Sequence, residues 1–228
     1  MKPIAPPKSL MELTAERIRD AIIQGELELG SKVSEQKLAD MLQISRSPVR
    51  EALALLQIEG LIRVLPKRGS FVFTPDDKTV ADLCEHRSIL ESACLALAIA
   101  RNPEALTGRL RQGIDQMRRA IARDDVAGYS AGDMRFHKAI VECSDNQSIA
   151  GVYDSTLGPL MALRTHVFRT GRSHFGSSMA EHAALLEACE QRDAARAQQI
   201  IGDHIRQVAR YYRETGPEGQ PKRLTLVG

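Results

Sequence analysis

One aspartate and three histidines have the types and the spacing of a metal site. Asp133 and His137 are four residues apart, so that on a helix they share one face, and apolar residues flank that face. His182 and His204 lie at inward positions of two later apolar stripes. A buried carboxylate is costly unless a cation compensates it. The pattern predicts one divalent ion bound by these four side chains, although each histidine alone is more often an ordinary core residue.

The four residue types do not determine which divalent ion binds or which additional ligand it takes. Zn²⁺, Ni²⁺ and Mn²⁺ all accept this donor set, and a five- or six-coordinate ion keeps positions open for a small carboxylate or hydroxycarboxylate. Arg87 lies on the inner stripe of its predicted helix and would fork onto such a carboxylate. The equal alternative is a buried ion pair with Glu91, four residues on. Asn146 is a weaker candidate for the same ligand.

A second cluster, of hydroxyls and cations, opens the third predicted helix at Ser45, Arg46, Ser47, Pro48 and Arg50. Unpaired N–H groups and the helix dipole suit a phosphate at that end. An arginine can also pair with a guanine edge in the major groove of DNA. The alternative is that the first serine only caps the helix and that the last arginine pairs with a nearby carboxylate.

A basic turn follows this helix and completes the candidate DNA surface. Lys67, Arg68 and Gly69 form the tip of a predicted hairpin, where the two cations would reach the phosphate backbone or the minor groove. Glu35 and Gln36, at the start of the second helix, are weaker candidates. Residues 44–75 hold five basic and two acidic residues, whereas the whole chain has a net charge of only +2. The small excess predicts a local anion-binding surface.

The elements that position these residues fall into two regions. Helical spacing at 9–24, 35–43 and 45–59 precedes two alternating segments, LIRVLP and GSFVF, which predict a winged helix-turn-helix. Beyond the linker, only helical patterns follow, at 78–101, 103–123, 126–145, 147–170, 177–191 and 193–214. The predicted fold is mainly α, with an N-terminal winged helix-turn-helix and a C-terminal all-α bundle of six to seven helices.

The predicted domains are a disordered arm (1–8), a DNA-binding domain (9–73), a linker (74–77), a helical effector and metal domain (78–214) and a flexible tail (215–228). Of the 228 residues, 43% are hydrophobic and 4% aromatic, which favours helices over an all-β fold. The four cysteines are far apart and predict buried thiols. Without an apolar segment long enough for a membrane span or a secretion signal, we expect a cytoplasmic protein and no membrane partner.

Residues 18–73 resemble the N-terminal domain of the GntR family of bacterial transcription regulators. The likeness rests on the stretches IIQGELELGSKVSEQKLADML, ISRSPVREALALLQIEGLI and PKRGSFV. It implies DNA contacts from Arg46, Ser47, Pro48 and Arg50, and from the wing at Gly69.

Residues 78–212 are similar to the helical FCD domain of the FadR-like subfamily, through the element DMRFH and the single histidines on two later helices. The resemblance implies a divalent ion on Asp133, His137, His182 and His204. It also implies an effector-responsive repressor of operator DNA. We expect a homodimer, because one winged module contacts too little DNA for tight specific binding, and a small carboxylate as the effector.

Two other functions stay open at this point. A metal-dependent hydrolase would need a nearby general base, but the sequence has no His-Glu-x-x-His arrangement. Glu181 and Asp203 directly precede two of the histidines and should point about 100° away around their helices. The other alternative is a DNA-binding regulator whose metal is purely structural.

Overall fold

The computed structural model describes residues 8–170 and 175–215. The helices are α1 (Leu10–Ile23), α2 (Glu35–Leu42), α3 (Arg46–Ile58), α4 (Asp77–Arg101), α5 (Pro103–Ala122), α6 (Val126–Cys143), α7 (Gln147–Thr170), α8 (Phe175–Glu190) and α9 (Ala194–Thr215), and the strands are β1 (Lys32–Val33), β2 (Ile62–Leu65) and β3 (Gly69–Val72). The predicted arm at 1–8 and tail at 215–228 lie almost wholly outside the described residues.

The N-terminal helices begin at residues that cap them. Ser9 accepts a hydrogen bond from the N–H of Glu12, whose carboxylate accepts one from the N–H of Ser9. Ser34 accepts from the N–H of Lys37 at the start of α2. The apolar faces of the three helices then bury one common core, which includes Ile18, Ile22, Leu38, Val49, Leu53 and Leu56. This packing fixes α3 against the other two helices.

A three-stranded antiparallel sheet, in the order β1-β3-β2, completes this module. The two predicted strands form the wing, with Ile62 opposite Val72 and Leu65 opposite Gly69. The prediction of only two strands was incomplete, because Lys32 and Val33 form β1 and pair with β3. A strand of two residues is too short to show alternation, and it exists here through its partner strand.

Six helices, α4 to α9, make up the C-terminal part of the described chain. Each begins and ends within two residues of its predicted bounds. Helix α4 begins at Asp77, inside the predicted linker, because the Asp76 carboxylate accepts a hydrogen bond from the N–H of Thr79 and caps it. The mainly α fold with a winged helix-turn-helix is confirmed. None of the described helices is both long and apolar enough to cross a membrane.

Close packing of α5 on α6 holds the helix that carries Asp133 and His137. A Cβ atom at Gly113 would lie 2.9 Å from the Cβ of Phe136 and 3.1 Å from its Cα, so only glycine permits this approach. Gly132 is similarly close to Met117 on α5. Since α6 also packs against α4 and α7, it runs through the centre of the bundle.

Helix α7 packs on both regions of the protein. Ala162 is buried in the core of the winged module, and a Cβ atom at Gly158 would lie 2.9 Å from a methyl group of Leu61. Arg169 donates a hydrogen bond from Nη1 to the carbonyl of Gly25 at 2.6 Å. On another face of α7, Leu163 belongs to the core of the C-terminal bundle. The two regions are therefore joined by a shared helix as well as by the linker.

Candidate metal centre and nucleic-acid interface

The structure brings the four predicted metal ligands together. Asp133 and His137 come from α6, His182 from α8 and His204 from α9, and one donor atom from each lies within 4.8 Å of all the others. The Nε2 atom of His182 is 3.3 Å from Oδ1 of Asp133 and 3.4 Å from Nε2 of His137. All four side chains are buried.

Two carboxylates orient two of the histidines. Oε2 of Glu91 lies 2.6 Å from Nδ1 of His137, and Oε2 of Glu181 lies 2.6 Å from Nδ1 of His204. When Nδ1 donates its proton to the carboxylate, the lone pair of Nε2 is left for a metal, which is the usual arrangement around bound ions. The expectation that Glu181 only points away was incomplete, because it reaches across from α8 to the histidine on α9.

The unpartnered atoms of the cluster fit a divalent ion. Oδ2 of Asp133 and Nε2 of His204 have no hydrogen-bond partner among the described residues, while Oδ1 of Asp133 is in ion-pair contact with Arg164. Buried polar atoms without partners are rare in folded proteins and need an explanation. One aspartate and three imidazoles form a donor set that Zn²⁺, Ni²⁺ and Mn²⁺ all accept.

Burial sets the charge states in the cluster. It raises the pKa of Asp133, and the nearby guanidinium of Arg164 opposes that rise. Burial also lowers the pKa of His137, His182 and His204 well below the usual value, and the charges of neighbouring groups lower it further. The three imidazoles are therefore held in the neutral form that binds metals.

Arg87 forms the ion pair that the sequence analysis left as one of two alternatives. Its Nε atom donates to Oε1 of Glu91 at 2.5 Å, and both side chains are almost fully buried. Tyr153 donates to the same carboxylate oxygen at 2.7 Å, so that Glu91 joins α4, α6 and α7. The Nη2 atom of Arg87 has no hydrogen-bond partner among the described residues. The pair therefore leaves part of the guanidinium available to a ligand.

The Asn146 side chain lies at the start of α7. Its side-chain oxygen accepts a hydrogen bond from the N–H of Ile149 at 3.1 Å, at the start of α7. Among the described residues, no hydrogen bond links the Asn146 side chain to the four ligand side chains. The amide therefore acts as a helix cap, and its contact with an effector stays a prediction.

Sequence reasoning missed Arg164, which lies on α7 beside the metal cluster. Its side chain is 2% exposed and makes an ion-pair contact with Asp133. Burial and the charge of Arg87 lower its pKa, while Asp133 opposes the shift. Leu160, Leu163 and Val167 are buried around it at helical spacing. A charged residue inside such an apolar stripe was the signal that could have found it.

The candidate DNA surface lies at the N-terminus of α3. Ser45 stands at the cap position but makes no side-chain capping bond. Arg46 and Arg50 are exposed, and both pair with Glu35 on α2 at 3.0 Å. The side chains of Arg50 and Arg46 hold the pKa of Glu35 below its usual value. The alternative in which an arginine pairs with a carboxylate is thus present in the free protein.

The remaining candidates are also placed around α3 and the wing. Ser47 is exposed and donates to Glu51, Pro48 is half-buried in the first turn, and the exposed Gln36 donates to Asp40. Lys67, Arg68 and Gly69 are exposed at the wing tip. Positive φ angles at Lys67 (60°) and Gly69 (103°) make the tight turn that presents the cations.

A three-helix module with a basic wing, joined to a helical domain that encloses a cluster of ligand-type side chains, defines a DNA-binding transcription regulator. The family profile described as bacterial regulatory proteins, gntR family, matches residues 10–72, and the FCD domain profile matches residues 82–207. The chain belongs to the GntR family of bacterial transcription regulators and carries an FCD domain. Regulators of this kind bind operator DNA and small effectors, typically as dimers.

Relatives and solved structures agree with this assignment. An uncharacterized HTH-type regulator of Streptomyces ambofaciens is 31% identical over 84% of this chain and 80% of its own length. The gluconate operon repressor of Bacillus subtilis is 31% identical over 64% of this chain and 60% of its own length. The Uxu operon regulator of Escherichia coli is 26% identical over 84% of this chain and 82% of its own length.

A transcriptional regulator structure from Rhodococcus sp. RHA1 has the same fold, with a TM-score of 0.80 at 22% identity over 91% of this chain and 99% of that one. The family and these relatives are transcription regulators and not enzymes. The alternative of a metal-dependent hydrolase is therefore wrong.

Proposed function

We propose that this chain is a metal-containing repressor that binds operator DNA as a homodimer and leaves it when a small carboxylate binds the FCD domain. The observation that carries the proposal is the convergence of four buried ligand side chains, with two histidines already oriented by Glu91 and Glu181. A ligand-blind regulator with a structural metal remains the second candidate. This second candidate also explains the cluster of four ligand side chains, but it does not explain why the Nη2 atom of Arg87 has no hydrogen-bond partner.

Asp133, His137, His182 and His204 would hold a Zn²⁺, Ni²⁺ or Mn²⁺ ion in the helical domain, residues 78–214. Such an ion supplies a Lewis-acidic anchor for a carboxylate when it is bound. The chain's own contribution is to keep the imidazoles neutral, to exclude water and to place a cation beside the anchor. Arg87 is that cation, because its Nη2 atom is free while Glu91 holds Nε.

The domain of residues 9–73 would read DNA with the N-terminus of α3 and with the wing. One winged module covers too little DNA for tight specific binding, and a two-fold dimer on symmetric half-sites doubles the contact. The Glu35 carboxylate orients Arg46 and Arg50 in the free protein, so we assign it a positioning role. DNA phosphates and base edges would then replace this carboxylate as partners of the two guanidinium groups.

Arg50→Ala is expected to weaken specific operator binding by about 1–3 kcal/mol, because the guanidinium pairs with a base edge. Lys67→Ala should instead weaken binding to all sequences alike and reduce the salt dependence, as loss of a phosphate contact does. Gel shifts with operator and unrelated duplexes at several salt concentrations measure both effects. Arg118→Ala, an arginine of α5 that is equally exposed, is the control. Unchanged operator affinity in Arg50→Ala would contradict the docking of α3.

Arg87→Lys is expected to weaken the response to the effector while metal content and effector-free DNA binding are kept. Lysine can still pair with Glu91, but it loses the planar fork, and one lost charge-assisted hydrogen bond costs about tenfold in affinity. A library of carboxylic acids, screened for thermal stabilisation of metal-loaded protein, supplies the effector. If the variant responds like the parent, Arg87 is only the partner of Glu91 and the carboxylate is held elsewhere.

A further inference from the structure

Arg164 has unused hydrogen-bonding capacity next to the metal cluster. Its side chain is buried, Nη2 is in ion-pair contact with Oδ1 of Asp133, and Nε and Nη1 have no hydrogen-bond partner among the described residues. A guanidinium carries five N–H donors in a fixed fork. Burying them without acceptors is costly, so that an acceptor is expected at this position when the site is complete.

The charges of the fully buried groups point to the same missing partner. Arg87 and Arg164 carry two positive charges, and Glu91 and Asp133 carry two negative charges, so that these four groups balance. Neutral imidazoles add nothing. A divalent ion adds two positive charges, and the carboxylate of Glu181, 2.6 Å from Nδ1 of His204, offsets one of them. Uncompensated buried charge is strongly unfavourable, so that an anionic ligand is expected beside the ion.

A small cavity of about 10 Å³ lies next to Arg164. Its wall includes Arg164, Phe168 and Ser178 together with His204, one of the candidate ligands. As it stands the cavity has room for about one water molecule, so the side chains around it must move apart before a carboxylate can lie between the guanidinium and His204. A metal held by Asp133 would compete with Arg164 for the Asp133 carboxylate.

From this geometry we infer that Arg164 anchors a second anionic group of the effector, and that the effector is a short dicarboxylate. The inference rests on the proposed function, since one carboxylate is to be held by the metal and Arg87. The second carboxylate accepts hydrogen bonds from the fork of Arg164. Selection against monocarboxylates follows, because a methyl group in that place leaves the guanidinium without an acceptor.

Calorimetry on the full chain loaded with one equivalent of Zn²⁺ tests this assignment with acids matched in carbon number. The pairs are butyrate and succinate, pentanoate and glutarate, and hexanoate and adipate, all at constant ionic strength. In at least one pair, the dicarboxylate is expected to bind tenfold or more tightly than its partner. Arg164→Met should bring that ratio close to one, with unchanged metal content and unchanged affinity for the monocarboxylate.

Two further variants keep the test sharp. Arg164→Lys retains a charge beside Asp133 and should give an intermediate ratio even if the methionine variant is poorly folded. Arg101→Met, at an arginine that bonds the carbonyl of Ser144, should leave the ratio of the parent. Equal affinity within every pair, or an unchanged ratio in both Arg164 variants, overturns the role of Arg164 and leaves the proposed function standing. Binding of neither acid in any pair overturns both.

Discussion

Purified His182→Ala protein is expected to contain almost no divalent ion, whereas the parent retains close to one per chain. Removing the imidazole takes one of four donors from a buried cluster in which the remaining ligand atoms lie within 4.8 Å of one another. Metal content by mass spectrometry measures the effect, and calorimetric uptake by chelator-stripped protein confirms it. His86→Ala, at a half-buried histidine that contacts Thr156, should retain the ion. Absence of metal from the native parent, with no uptake after stripping, would refute the site.

Removing a carboxylate that orients a ligand histidine should weaken metal binding without abolishing it. Glu181→Gln should reduce metal affinity by about 10–100-fold, because the carboxylate that fixes the ring of His204 is lost while all four ligands stay. Asp203→Asn is the matched control. Asp203 directly precedes the ligand His204 in sequence, but its side chain is exposed and pairs with Arg206. Equal losses in the two variants would mean that Glu181 does not act through His204.

These two carboxylates also show where sequence reasoning reached its limit. Both directly precede a histidine, and helical geometry predicted that both point away from the centre, which holds for Asp203 but not for Glu181. Only tertiary packing distinguishes them, because α9 brings His204 within reach of Glu181 but leaves Asp203 in solvent. Periodicity says which face a residue occupies, and it does not say which residue of another helix meets that face.

Most of the helices could be predicted, because long amphipathic segments with clear caps dominate this chain. The four ligand residues were accessible for the same reason, since polar side chains on inward stripes contradict the pattern around them. Arg164 carried the same contradiction and was missed, as its role depends on Asp133 across the bundle. The strand β1 carried no local signal, because its two residues become a strand only through pairing with β3.

Effector binding is expected to change operator affinity by about 5- to 150-fold, and operator DNA must change effector affinity by the same factor. The physical route is α7, whose Arg164 contacts the metal cluster while Ala162 lies in the core of the winged module. A ligand shifts DNA affinity only through its different affinities for the two states of the dimer. Titrating the effector with and without operator, and the operator with and without effector, checks the equality. Unequal factors would mean that the two measurements report different processes.

Adding one methyl group to α7, at Gly158, should keep effector binding but uncouple it from operator affinity. In Gly158→Ala, the new Cβ atom would lie 2.9 Å from a methyl group of Leu61, so that the buried Leu61 side chain must shift and the contact between α7 and the winged module changes. We expect unchanged metal content and unchanged effector binding in the absence of DNA, but a loss of most of the effect of the effector on operator affinity. Gly151→Ala is the matched control, because a Cβ atom on the same helix there meets nothing within 4 Å. If both variants keep the full response, the contact between Gly158 and Leu61 does not carry the signal, and the linker that leads into α4 becomes the route to test.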